Sequence, residues 1–197
     1  MKRVILLLSI VLGIASLTAD LTYVYNLPLP SLKVQGDNYV VKLDGGQALG
    51  EPGAPNLPWI GSKLLLPSVE EAVAIQIKKM NPSTYQLDKP IIHLQPQYPL
   101  SQTDLPQPVT ADQAIYGSAQ AYPVQDNNGA NTQFLCGHPI NFTAFCPFEY
   151  YPQEGILKFY QTVSVTVVTS YSSRASESQR LKKEDAYILR EWKKSED

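Results

Sequence analysis

A long alternation of β-branched and polar residues near the carboxyl end constrains the fold more than any other feature of the sequence. In the stretch FEYYPQEGILKFYQTVSVTVVTSY, Val163, Val165 and Val167 alternate with serine and threonine, so one strand face is apolar and the other polar. The turn Pro152-Gln153-Glu154-Gly155 precedes this strand, and its proline presets φ while its glycine permits positive φ. The pattern predicts an antiparallel hairpin whose first strand ends at Tyr151.

Five shorter runs have the length and the turn-residue boundaries of strands. They are Leu21–Asn26, Asn38–Leu43, Ser62–Pro67, Ala72–Lys79 and Lys89–Leu94. In the fourth run, Val73, Ile75 and Ile77 share one face, which we expect to be buried. A helix is the alternative there, since Glu70 and Glu71 suit a first turn, but the alternation favours a strand. The short, evenly spaced strands predict an all-β domain, an antiparallel β-sandwich.

The amino terminus has the pattern of a signal peptide. Lys2 and Arg3 precede an apolar run from Val4 to Ile14, and small residues follow. This run is shorter than the about 20 apolar residues of a spanning helix, so we expect export and no membrane span after signal removal. The expected organisation is a signal peptide at 1–19, a β-sandwich domain at 20–171 and a charged tail at 172–197.

The composition changes twice along the expected mature chain. Between Pro90 and Leu157 there is no lysine or arginine, and recurring prolines and tyrosines favour an extended, packed segment over a disordered linker. In the charged tail, Leu181, Ile188 and Trp192 lie at near-helical spacing. The tail is expected to form either a partly amphipathic helix or a solvated end.

Charge and cysteine content exclude some functions. A net charge of −2 and a pI near 5.7 provide no basic surface for nucleic acid. Cys136 and Cys146 are expected to form a disulfide, because the chain is predicted to be exported. Catalysis by Cys136 and His138 is disfavoured, because the sequence supplies no third group to orient such a pair.

The remaining motifs give no support for an active site or a cofactor. His93 and His138 lie in separate segments without further ligands for a metal, and His93 is expected to face outward from a strand. No glycine-rich phosphate loop is present. Asn141-Phe142-Thr143 matches a glycosylation sequon, which matters only in a host that glycosylates exported chains. We therefore predict that the chain is not an enzyme and binds no cofactor.

The order of three segments resembles a known family. The segments are GEPGAPNLPWIGSKLLLPSVEEAVAIQI, then ADQAIYGSAQAYP, then PINFTAFCPFEYYPQEGILKFYQTVSVTVV. Together they are similar to the amino-terminal propeptide of the gingipain family of secreted cysteine peptidases, over about Leu43 to Val168. The most specific part is the ordered set of Leu57-Pro58, Ile115-Tyr116 and the motif from Pro147 to Leu157.

The resemblance implies an all-β prodomain of sandwich or jelly-roll type, which assists folding of a caspase-like peptidase domain and keeps it latent. The expected partner is therefore a gingipain-like cysteine peptidase catalytic domain, and the expected location is periplasmic, cell-surface or extracellular. Trp59 is a candidate partner contact, with a place in the domain's own core as the alternative. A secreted adhesion or carbohydrate-binding module is the alternative function.

One departure from the family concerns the charge of the expected inhibitory segment. The resemblance implies a peptidase that prefers basic residues and a prodomain that presents one to its pocket, yet no basic residue lies between Lys89 and Lys158. If a loop from this region inhibits, the cognate pocket is not of the basic-specific kind. The alternative is that no loop enters the cleft. No inhibitory residue is assigned from the sequence.

Overall fold

The computed structural model of the chain describes residues 19–98, 101 and 106–179. Within these residues all strand-to-strand pairings are antiparallel, as predicted. The strands are β1 (Ala19–Asn26), β2 (Ser31–Gln35), β3 (Asn38–Lys42), β4 (Gly46–Ala48), β5 (Pro58–Leu65), β6 (Glu70–Gln86), β7 (Thr132–Leu135), β8 (His138–Phe145), β9 (Phe148–Tyr151) and β10 (Ile156–Tyr171), with the short helix α1 (Gln113–Tyr116) between β6 and β7.

The predicted hairpin forms the centre of the first sheet. Strand β10 pairs with β6 along one side, and with β1 and β9 along the other. Its Val163, Val165 and Val167 are fully buried, so the apolar face does point into the core. Gly155 has a φ of 63° and its N–H donates to the Pro152 carbonyl, which closes the predicted turn between β9 and β10.

The second sheet has the strand order β4-β5-β8-β7, and β2 and β3 form a separate hairpin. The two larger sheets bury a shared core between them, in which the Tyr25 ring of β1 lies 5.1 Å from the Phe145 ring of β8. The predicted antiparallel sandwich is thus confirmed. Strand β5 begins at Pro58, four residues before the predicted start at Ser62. The additional residues include Trp59 and Ile60, which pack in the hydrophobic core.

One predicted strand is absent. The run from Lys89 to Leu94 forms only isolated bridges, from Ile91 to Tyr39 and from His93 to Pro55. The run touches a different segment at each bridge, and Pro90 has no N–H to donate to a ladder. The Lys89–Leu94 segment is therefore a connector that is hydrogen-bonded on both sides rather than a strand.

The predicted burial of Val73 is wrong. Thr169 pairs with Ala72 and Val168 pairs with Ala74, so Val73 is the extra residue of a β-bulge and is exposed. A bulge shifts the alternation by one position. The later residues Ile75 and Ile77 return to the inner face and pack against the core.

The ends of the chain lie partly outside the described residues. The predicted signal peptide falls on residues 1–18, which are not described, and β1 begins at Ala19. After β10, residues 173–179 are helical and the Ala175 side chain is buried. Leu181, Ile188 and Trp192 lie outside the described residues. No helix in the described part of the chain has the length and apolarity that a membrane span requires.

Candidate interaction surface

The two cysteines lie at opposite ends of β8. Cys136 is exposed in the two-residue turn between β7 and β8, and Cys146 is buried just after β8. An eight-residue strand spans roughly 26 Å, whereas the Cα atoms of a disulfide lie within about 7 Å of each other. Both thiols are free, so the predicted disulfide is not formed in this structure. The segment between the two cysteines is one extended strand rather than a loop, and this strand holds the thiols apart.

Neither histidine belongs to a catalytic or metal-binding cluster within the described residues. The ring Nε2 of His93 lies 2.9 Å from the Val109 carbonyl oxygen, so this side chain ties the connector to a neighbouring loop. His138 begins β8 and is directly paired with Leu135. Cys136 precedes it in the turn, so the two residues lie at the junction between the turn and β8.

Trp59 lies in the hydrophobic core rather than on the surface. It is 8% exposed and belongs to the same buried cluster as Leu57 and Ile60. The indole Nε1 has no hydrogen-bond partner among the described residues. The structure therefore places Trp59 in the domain's own core, the alternative to a partner contact.

Residues 121–128, which we call the anchored loop, lie in the connection between α1 and β7. Tyr122 exchanges two backbone hydrogen bonds of 2.8 Å each with Tyr150 of β9. At the other end, the Cys146 N–H donates to the Asp126 carbonyl at 2.8 Å, and the Asn128 N–H donates to the Ala144 carbonyl at 3.1 Å. Both ends of the loop are thus fixed to the backbone of the sandwich.

An ionic cluster beneath the anchored loop adds a third attachment. The Lys79 ammonium of β6 lies 3.4 Å from an Asp126 oxygen and 3.6 Å from a Glu149 oxygen, and its side chain is 10% exposed. The Tyr160 hydroxyl donates to Glu149 at 2.8 Å. Burial, together with this hydrogen bond, raises the pKa of Tyr160 to about 12, so the phenol stays a donor at neutral pH. The cluster joins the loop to both β6 and β9.

The tip of the anchored loop presents one apolar side chain. Val124 is 84% exposed. Among the described residues, no other exposed large apolar side chain has a higher exposed fraction. Its neighbour Gln125 is exposed as well, while Pro123 is half-buried. The loop therefore displays Val124 from a base that is fixed on three sides.

A cleft of about 520 Å³ opens on the same side of the domain as α1, and residues of the β9–β10 turn line it. Its aromatic side chains are already engaged. The Tyr116 hydroxyl donates to the Ile91 carbonyl at 2.6 Å, and Tyr150 is 1% exposed. Tyr122 packs against the core. Tyr116 and Tyr150, which line the cleft, and their neighbour Tyr122 are thus packing residues, which does not favour the alternative function of carbohydrate binding by ring stacking.

Comparison with known proteins gives the family. The Propeptide_C25 family model matches residues 23–192. The chain belongs to this propeptide family. The match spans most of the chain and confirms the resemblance seen in the three ordered segments, and it identifies residues 23–192 as a propeptide domain. Among curated proteins, no sequence matches at a significant level.

Two solved structures from Porphyromonas gingivalis are similar to this propeptide. One is described as a complex of the RgpB pro- and mature domains; it is 17% identical, with 82% of this chain and 84% of that chain covered and a TM-score of 0.55. The other, described as giving insight into the zymogenic latency of gingipain K, is 15% identical, with 79% and 100% covered and a TM-score of 0.57. At these identities the likeness establishes the shared fold.

The propeptide's anchored loop was not singled out from the sequence. Its anchors are backbone hydrogen bonds to segments 16 to 28 positions away, such as Tyr122 to Tyr150 and Asn128 to Ala144, and no local pattern encodes them. Two signals were available. The loop lies in the segment without lysine or arginine, and Val124 is an isolated aliphatic residue in the polar stretch that follows Pro123.

Proposed function

We propose that this chain is the propeptide of a gingipain-type cysteine peptidase, which assists folding of the caspase-like catalytic domain and holds it latent. The family match over residues 23–192 carries the proposal. The sandwich fold, shared with prodomains described in a pro–mature complex and in a study of latency, agrees with it. The chain contributes a binding surface, and hydrolysis belongs to its partner.

Both roles follow from binding to the native peptidase. A domain that binds the folded state and not the unfolded state stabilises the folded state by mass action. The same contact causes latency when the bound surface covers the substrate cleft. A rigid sandwich suits this function, because a surface that is already ordered loses little conformational entropy on binding.

Export belongs to the same proposal. Gingipain-type peptidases are secreted or cell-surface proteins, and membership of their propeptide family supports export of this chain in general terms. The finer assignment is a signal peptide at residues 1–19 followed by the sandwich at 20–171 and the tail at 172–197. The mature location would be periplasmic, cell-surface or extracellular.

Mixing the purified chain with the mature domains of RgpB and gingipain K tests the function. We expect a 1:1 complex in size-exclusion chromatography with at least one of them, and loss of peptidase activity at saturating chain. The chain alone is expected to cleave no peptide substrate. If the chain forms a complex with neither mature domain, the proposed function is contradicted.

A further inference from the structure

We infer that residues 180–192 of the tail form an amphipathic helix, which continues the helical segment at 173–179 and covers an apolar end of the sandwich with Leu181, Ile188 and Trp192. The tail lies outside the described residues. The support comes from the surface at which the tail begins and from its own sequence. The inference goes beyond the proposed function, because it assigns a partner within the chain to a surface of the propeptide.

Four large apolar side chains are exposed at the same end of the sandwich, which we call the apolar end. They are 56% to 69% exposed: Leu65, Val73, Leu135 and Tyr171. Three of them are the last residues of β5, β7 and β10, and Val73 lies near the start of β6. Strand pairing brings these positions together, because β8 is antiparallel to both β5 and β7, β10 is antiparallel to β6, and residues 66–69 link β5 directly to β6. Exposed apolar groups of this kind mark a surface that binds another element.

The helical segment at 173–179 is fixed at this same end. The Arg174 guanidinium donates to the Thr132 carbonyl of β7 at 3.3 Å and lies 5.2 Å from the centre of the Phe134 ring. It also forms an ion pair with Glu71 of β6. The Ala175 side chain is buried. The tail therefore starts beside the apolar end, directly after a segment that is held there.

The tail continues a spacing that begins in the described segment. Buried Ala175 and half-buried Ser178 are three positions apart, and Leu181, Ile188 and Trp192 follow at intervals of three, seven and four. These intervals keep the five residues along one side of a helix. Charged residues occupy most of the other positions from 180 to 192, so the remaining faces suit water. The tail thus has one apolar side, and the apolar end offers a surface for it.

The dimensions and the connectivity favour the tail as the occupant. The thirteen residues from 180 to 192 extend about 20 Å as a helix. The ends of β5, β8 and β7 span about 10 Å, and two packed sheets lie about 10 Å apart, so the helix is long enough to cross the apolar end. Because the tail follows a fixed segment, its effective concentration at this surface is high. The family model extends to Trp192, so the matched propeptide domain includes the whole proposed helix.

Tryptophan fluorescence tests the contact. The chain has two tryptophans, and Trp59 is buried in the core. The difference in acrylamide quenching between the unchanged chain and Trp192→Phe therefore isolates Trp192. We expect the quenching constant of Trp192 to be several-fold lower in the native chain than in the denatured chain. Leu65→Ser and Leu135→Ser should each raise it, because they remove apolar contact area from the apolar end.

Two positions elsewhere in the domain serve as matched controls. Leu29 and Val124 are also exposed and apolar, but Leu29 lies in the connection between β1 and β2 and Val124 lies in the anchored loop. Leu29→Ser and Val124→Ser should leave the quenching of Trp192 unchanged. If they raise it as much as the substitutions at the apolar end do, the contact is not at this surface and the inference fails.

Amide hydrogen exchange tests the helix itself. Residues 181–192 should be protected in the unchanged chain, and Ile188→Ser should remove this protection. Tyr187→Ser should retain it, because position 187 lies on a different side of the same helix. Isoleucine, tyrosine and serine have similar helix propensities, so a difference between the two variants reports the contact rather than intrinsic helix formation.

Other occupants of the apolar end would give different results. If protection of Trp192 depends on chain concentration, a second copy covers the surface, and the inference fails. If Trp192 is protected only after mature RgpB or gingipain K is added, the peptidase supplies the contact, and the inference fails while the proposed function stands. If Trp192 is protected in the chain alone but no complex forms with either mature domain, the inference stands and the proposed function fails.

Discussion

The two thiols of the chain lie in environments that give them opposite reactivity. Cys136 is exposed, whereas Cys146 is buried, and burial raises its pKa to about 12. A thiol reacts as its thiolate, so Cys146 stays inert at neutral pH for reasons of both access and ionisation. At the residue scale, reactivity is therefore set by position in the fold and not by sequence neighbourhood.

Thiol titration with Ellman's reagent near pH 8 should find one reactive cysteine in the native chain and two after denaturation. Cys136→Ser should abolish the native signal, and Cys146→Ser should leave it unchanged. If neither thiol reacts before or after denaturation in the absence of reductant, the cysteines are paired and the structure is wrong on this point.

Trp59 and Val73 show what single residues do and do not reveal in a sequence. Trp59 is apolar enough for either a core or an interface, and only the packing around it places it in the core. Val73 has the residue type of a buried strand position, but a bulge formed with a partner strand about 95 residues away turns it outward. Both outcomes depend on contacts that are distant in sequence.

At the scale of elements, the β9–β10 turn contains a glycine that has a positive φ and a crowded Cβ position. Gly155 has a φ of 63°, and a Cβ atom at this position would lie 2.5 Å from the Leu87 carbonyl oxygen. Gly36, in the β2–β3 turn, has a nearly equal φ of 61° but nothing within 4 Å of its Cβ position. Gly36 and Gly155 therefore have the same backbone conformation but differ in steric contact, so comparing their alanine variants distinguishes the two effects.

Gly36→Ala should lower the free energy of unfolding by about 1 to 2 kcal/mol, the usual cost of a left-handed conformation for a side chain. Gly155→Ala adds a backbone collision, so it should lower the free energy of unfolding by about 3 kcal/mol or more. Urea denaturation measures both. Equal losses for the two variants would mean that the turn relaxes away from Leu87.

The helical segment at 173–179 is attached to β6 by an ion pair. The Arg174 guanidinium donates to the two Glu71 carboxylate oxygens at 3.0 and 2.7 Å, and the Ser172 hydroxyl also donates to Glu71. Partial burial opposes ionisation of Glu71, but the hydrogen bonds from Arg174 and Ser172 outweigh it and hold the pKa of Glu71 below its usual value. The attachment therefore depends on pH.

Acidification should release this segment. Because the folded-state pKa of Glu71 is lowered, the stabilisation is complete above the ordinary glutamate pKa of about 4.3 and is lost as the pH falls through the lower folded-state value. The protection factor of the Ala175 amide, which is its exchange rate relative to an unfolded chain at the same pH, should fall in that acid range. In Glu71→Gln, the Ala175 amide should already be weakly protected at neutral pH, and its protection should not change further on acidification. If protection still fell in the acid range, another group would be responsible for the titration.

The elements also show how far sequence patterns extend. The hairpin of β9 and β10 was predicted with its turn, because the alternation and the Pro152–Gly155 turn are local signals. Strands β2, β4, β7 and β8 were not predicted. Strand β8 contains Pro139 and the polar residues Asn141 and Thr143 on its buried face. Its sequence therefore lacks the alternation of apolar and polar residues that predicts a strand.

At the scale of the whole molecule, the two larger sheets enclose one hydrophobic core, so a partner can contact only the surface of the sandwich. Patterning predicted its class, and the order of three motifs predicted its family. The anchored loop could not be predicted from the sequence, because its conformation depends on backbone hydrogen bonds to β8, to β9 and to the residues between them, all more than ten positions away. In such a domain, the loops that are ordered by contacts to the sandwich are the ones that can present a fixed binding surface.

Refolding experiments test the folding role. A denatured gingipain-type mature domain diluted into buffer should recover more activity, after the chain is removed, when equimolar chain is present during refolding. At a free chain concentration 100 times the dissociation constant, binding should stabilise the native peptidase by about 2.7 kcal/mol and raise its melting temperature. An unrelated β-sandwich at equal concentration is the control, and an equal yield with it would contradict a specific role.

The enclosed position of Asn141 affects how the chain can be produced. The side chain is 0% exposed, and its Oδ1 accepts a hydrogen bond from the Asn131 N–H at 3.0 Å, inside the second sheet. Oligosaccharide transfer to this sequon requires an open chain, and a sugar once attached has no room between the packed sheets. In a secretory host that modifies nascent chains, glycosylation and folding therefore compete for the same residue, and each modified molecule is lost to the native state.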